Sequence, residues 1–74
     1  MDPNAMKWAF MAAAMATGLS AIAAGVAVAY VGSAAMGAIS EKPELAGKAL
    51  IYVGLAEGIA IYGLIISIMI LGKI

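Results

Sequence analysis

The chain has 74 residues, of which 66% are hydrophobic and 11% charged, with zero net charge. A soluble globule this small has too little interior to hide so many apolar side chains, which leaves the lipid bilayer as the solvent. There is no Arg, Cys or His. That excludes a basic patch for nucleic acid or anionic lipid, a disulfide or thiolate site, and any set of residues suited to a resident metal.

Two runs are long and apolar enough to cross a membrane. Trp8 to Ser40 contains no charged residue, and Ala49 to Gly72 is broken only by Glu57. Both exceed the roughly 20 residues that a helix needs to span the hydrocarbon core. Backbone amides in lipid must be satisfied within the segment, so both runs are expected as helices, and the fold class is an all-α transmembrane hairpin forming a single unit over residues 1–74. The first run far exceeds the roughly 7–15 residue core of a signal peptide, so it is expected to be a retained span. Lys7 and Lys73 flank the termini and Lys42 and Lys48 flank the loop, so the positive-inside rule assigns no orientation.

In chain order, helix 1 is expected over about residues 4–39, with Asp2 or Asn4 as cap and Pro3 in the first turn. Trp8 fits an interfacial anchor. Two stripes at helical spacing differ in size: Ala14, Gly18, Ala21, Gly25, Ala29 and Gly32 are small, whereas Met11, Met15, Leu19, Ile22, Val26 and Tyr30 are large. In lipid a continuous small stripe lets another helix approach closely and gain dispersion contacts. Smallness also covers residues 21, 23, 25, 27 and 29, more than one face. A tight homo-oligomer accounts for this better than contact with helix 2 alone.

The polar stretch Ser40-Glu41-Lys42-Pro43-Glu44 is the expected loop, because Pro43 disfavours helical geometry at Lys42. Helix 2 is expected over about residues 45–72, with Glu44 in its first turn at the positive end of the dipole and Lys73 at the other. Gly54 and Gly58 form a Gly-x-x-x-Gly pair. Beyond Glu57 the helix turns bulky, from Ile59 through Leu71, and that surface is expected to face lipid.

Glu57 lies about 12 residues into helix 2, roughly 18 Å from the loop and close to mid-bilayer. An ionised acid there costs several kcal/mol on most scales, so its default reading is functional. Desolvation disfavours the anion, which makes the expected state neutral and proton-carrying until a compensating charge or water reaches it. No cation at that depth comes from this chain, so a partner or water must supply it. As a permanent hydrogen-bonding glue, Asn, Gln or Ser would serve at lower cost. With no nucleophile–base pair and no phosphate-cradling loop, the chain is not expected to be an enzyme or to hold a cofactor.

The segments Gly25-Val26-Ala27-Val28-Ala29-Tyr30, Gly37 to Leu45, and Leu55-Ala56-Glu57-Gly58-Ile59-Ala60-Ile61-Tyr62-Gly63 together resemble the rotor-ring proteolipid, the c or K subunit, of rotary ATP synthases and ATPases. The last two look more like the archaeal A-type or bacterial V-type subunit. The resemblance implies a ring of copies with helix 1 inside and helix 2 outside. Glu57 would carry one ion per copy, and Gly18, Ala21, Gly25, Ala29, Gly32, Gly54 and Gly58 would pack the ring. It also implies a stator subunit that supplies an Arg, and central-stalk subunits that meet the loop Glu41, Lys42, Pro43 and Glu44 on the cytoplasmic side of a prokaryotic plasma membrane. The familiar Arg-Gln-Pro of that loop reads Glu41-Lys42-Pro43 here, and repeated glycines of helix 1 are partly replaced by Ala23, Ala27 and Ala29.

Sodium-binding relatives use a Gln on helix 1 and hydroxyls beside the acid. Here the matching helix 1 position is Val28, and Gly58 and Ile59 follow the acid. A proton needs only the carboxyl group and one acceptor, so H+ is favoured over Na+. Tyr62 resembles a tyrosine that helps hold the acid in some relatives. The competing readings are a small oligomeric proton-coupled transporter, which would want more aromatic lining than Trp8 and Tyr62 give, and a holin-like assembly in which Glu57 is dispensable.

Overall fold

The computed structural model describes every residue from Met1 to Ile74. Helix α1 runs Pro3–Glu41 and helix α2 runs Ala46–Leu71, joined by Lys42 and a 3₁₀ turn, Pro43–Leu45. The Asp2 carboxylate accepts a hydrogen bond from the Ala5 N–H at 2.9 Å. Asp2 is therefore the cap, Pro3 opens the first turn with its missing N–H where no partner is needed, and Asn4 lies inside the helix.

The loop is shorter than the sequence suggests. Ser40 and Glu41 remain helical, because the steric effect of Pro43 falls only on the residue before it. Lys42 is that residue, at φ −135° and ψ 89°, while its N–H still reaches the Ala38 carbonyl at 2.8 Å. Glu44 sits in the 3₁₀ turn rather than in the first turn of α2, and α2 begins one residue later than expected. At the far end α2 stops at Leu71, so Lys73 lies just beyond it, with its N–H on the Ile70 carbonyl at 3.0 Å.

The 39 residues of α1 rise about 58 Å at 1.5 Å each, which matches the 58 Å long axis of the molecule. Both helices have the length and apolar composition of membrane spans. Only six of the 74 residues are buried, among them Ala13 and Ala24 on α1 and Ala49 and Ala56 on α2; Gly63 and Ser67 complete the α2 row. The α2 row recurs at intervals of seven and four, a single seam of small residues that lets the two backbones close on each other.

The closest approach is at Gly63. A Cβ there would overlap the Ser20 side chain and would come within 2.7 Å of the Ala16 carbonyl oxygen. One helical turn on, the Ser67 hydroxyl donates to the Ala13 carbonyl at 2.6 Å and lies 2.6 Å from the Thr17 hydroxyl. It also approaches the Gly63 carbonyl at 3.1 Å. Since Ser67 has one proton to give, the Thr17 hydroxyl is the donor in their mutual bond. These contacts fix the antiparallel register: Thr17 and Ser20 pair with Ser67 and Gly63, so Ala24 and Gly25 come level with Glu57.

Candidate functional site

Glu57 follows Ala56, which is buried against α1, and a helix turns about 100° per residue. Its carboxyl is thus swung onto one flank of the hairpin, where it is exposed. Leu50, Leu64 and Ile68 stand in the same relation to buried Ala49, Gly63 and Ser67 and share that flank. On α1 the residues just past buried Ala13 and Ala24 are Ala14 and Gly25. The small stripe therefore runs beside Glu57, with Gly25 at its depth.

Ala14, Gly18, Ala21, Gly25 and Ala29 are exposed and Gly32 is half-buried. A Cβ added at Gly18, Gly25 or Gly32 meets nothing within 4 Å. The stripe is not what holds α1 to α2; that contact uses Ala13, Ala24 and the half-buried Thr17, Ser20 and Val31. Gly54 and Gly58 are equally open, so the Gly-x-x-x-Gly pair takes no part in closing the hairpin either. The large stripe from Met11 to Tyr30 points away from α2 and is exposed throughout.

Tyr62 is not brought to Glu57 within one chain. Five residues on, it is turned about 140° from the acid, and it is 71% exposed on the opposite flank. There it borders a groove of about 670 Å³ together with Ala16, Ser20, Gly58, Ile59 and Gly63. A second groove of about 340 Å³ lies on that same flank nearer the loop, walled by Val31, Ala34, Ala38, Leu45, Lys48 and Tyr52. Glu41, Lys42, Pro43 and Glu44 form the exposed tip between the helices, and Val28 is half-buried beside the seam.

Sequence reasoning passes over Thr17, Ser20, Gly63 and Ser67. Their signal is small residues and hydroxyls inside apolar runs, the usual means of helix association in lipid. Ser67 and Gly63 interrupt the bulky end of α2, so the surface beyond Glu57 is lipid-like on its exposed faces only.

A two-span integral membrane hairpin with a seam of small residues and one acid on an uncovered flank defines a membrane proteolipid. The family model for the ATP synthase C-type subunit matches residues 11–70, and the chain belongs to that family. It is 45% identical over 67 residues to an A-type ATP synthase subunit K of Methanocaldococcus jannaschii, covering 86% of this chain and 29% of that protein. To the A-type subunit K of Sulfolobus acidocaldarius it is 46% identical over 59 residues, 80% of this chain and 58% of the relative. The chain thus spans under two thirds of these two relatives. The ATP synthase c-type subunit of Dehalococcoides mccartyi is 40% identical over 75 residues, and the match covers 96% of each.

Proposed function

We propose that copies of this hairpin form the rotor ring of a rotary ATP synthase or ATPase, with α1 inside, α2 outside and Glu57 carrying one proton per copy. The observation that carries the reading is the coincidence on one flank, at one depth, of Glu57 and the open small row around Gly25. A neighbouring helix can close against that row and take the carboxyl out of lipid, which would otherwise cost about 2.5–3.5 kcal/mol for an ionised acid at the bilayer centre.

In this reading the carboxyl is neutral while enclosed and gives up its proton only where the stator presents an Arg and water. Each exchange permits the ring to advance by one copy, which couples ion flow to ATP synthesis or hydrolysis elsewhere in the complex. The chain itself breaks no bond. The tip at Glu41 to Glu44 meets the central stalk on the cytoplasmic side of a prokaryotic plasma membrane, and Tyr62 serves the acid of an adjacent copy rather than its own. Protons are favoured over sodium because Val28, Gly58 and Ile59 offer no side-chain oxygen near the acid.

The test is carbodiimide labelling of the purified oligomer across pH, with and without sodium, read by mass spectrometry. Labelling selective for Glu57 that fades as pH rises and ignores sodium is the expected result. Protection by sodium would overturn the choice of ion, and absence of preferential labelling at Glu57 would overturn ion carriage.

A further inference from the structure

Both grooves lie on one flank of the hairpin and Glu57 on the other. On α2 the residues just before the buried row, Lys48, Leu55, Tyr62 and Ile66, border the grooves; those just after it, Leu50, Glu57, Leu64 and Ile68, project from the opposite side. The hairpin therefore has one concave flank and one flank bearing knobs at heptad spacing, the arrangement that knobs-into-holes packing requires.

We propose that the grooved flank is the docking site for the Glu57 flank of a second copy. Leu50 seats in the groove between Ala34, Ala38, Lys48 and Tyr52, and Leu64 seats against Ala16 and Ile66. This rests on the ring reading and specifies its interface. Leu50 is 74% exposed and Leu64 48% exposed, so both are free to enter a neighbour.

Depth is what selects the partner. Successive copies in a closed ring are related by rotation alone, with no translation along the axis. Each knob must then meet a groove at its own height in the membrane. Leu50 lies between Lys48 and Tyr52 in sequence, level with the loop-side groove; Leu64 lies between Tyr62 and Ile66, level with the other. Glu57 then faces the neighbour's open Gly58, where a Cβ would meet nothing within 4 Å. The contact is head-to-tail, so it leaves every copy with one free flank until the ring closes.

The absence of cysteine makes the test direct. Ala34→Cys with Leu50→Cys, and separately Ala16→Cys with Leu64→Cys, are introduced into the full chain, oxidised in membranes, and resolved by denaturing electrophoresis. Within one chain the paired Cβ atoms point to opposite flanks, which prevents an internal bridge. The expected result is a ladder at multiples of the 7.4 kDa chain for both pairs, and loss of the ladder in every single variant. The depth-mismatched pair Ser20→Cys with Leu50→Cys should give none.

Dimers from Leu50→Cys alone would mean that like flanks meet and would overturn the proposal. A ladder from the mismatched pair would overturn the register. Native mass spectrometry of the same variants separates the two readings. A multimer without a ladder from either matched pair would sink this interface and leave the ring standing, whereas no multimer would sink both.

Discussion

The Ser67 hydroxyl and the Thr17 hydroxyl lie 2.6 Å apart across the helix seam, with Ser67 also bound to the Ala13 carbonyl at 2.6 Å. Among apolar neighbours in lipid these bonds favour one register of α1 on α2, because a shift along the seam would leave the hydroxyls without partners. Polar bonds between membrane helices are worth about 0.6 kcal/mol on average and up to about 1.7. A double-mutant cycle of Thr17→Val and Ser67→Ala is expected to give a coupling energy in that range, measured from reversible unfolding in mixed detergent. Zero coupling would mean that the pair does not fix the register.

Glycines on the two sides of α1 and α2 should respond oppositely to enlargement. Gly63→Ala places a Cβ into the Ser20 side chain and the Ala16 carbonyl, and overpacking of this kind costs about 1–3 kcal/mol. Gly25→Ala or Gly25→Val meets nothing within the hairpin. The first change is expected to destabilise the isolated hairpin; Gly25→Val is expected to leave its helicity unchanged and to weaken the oligomer. Circular dichroism and native mass spectrometry distinguish the two, and an intact oligomer in Gly25→Val would argue against close packing on that row.

Replacing Glu57 by Gln keeps the size and the hydrogen-bonding capacity of the side chain and removes its proton exchange. The oligomer is expected to persist with the mass of the parent, while carbodiimide labelling and ATP-driven proton uptake in reconstituted vesicles are lost. Retained proton uptake would show that the acid is not the carrier.

Tyr62 is exposed and distant from its own Glu57, so Tyr62→Phe should leave hairpin stability within about 0.5 kcal/mol of the parent, the usual range for a surface change. If its hydroxyl donates to a neighbour's carboxylate, which favours the anion, its removal should raise the labelling rate of Glu57 at fixed pH in the oligomer. The dissociated chain should show no change. Equal rates in both states for parent and variant would remove Tyr62 from the site.

Composition and the positions of charge determine the spans, the hairpin and the unusual acid. Amides that cannot meet water force helices on any apolar run of this length, and Pro43 marks the reversal. The outcome at the loop is narrower than the polar run implies, because proline acts on Lys42 alone and leaves Ser40 and Glu41 helical. What only the tertiary structure decides is which small row meets which. Helix α1 is small on more than one side, so periodicity offers several equivalent seams. The choice falls to Ala13 and Ala24 because Thr17 and Ser20 lie on that side to meet Ser67 and Gly63. That choice leaves Gly25 uncovered beside Glu57 and turns Tyr62 to the far flank. Sequence spacing gives the angle between two residues on one helix; the angle between each of them and the partner helix exists only once the seam is chosen.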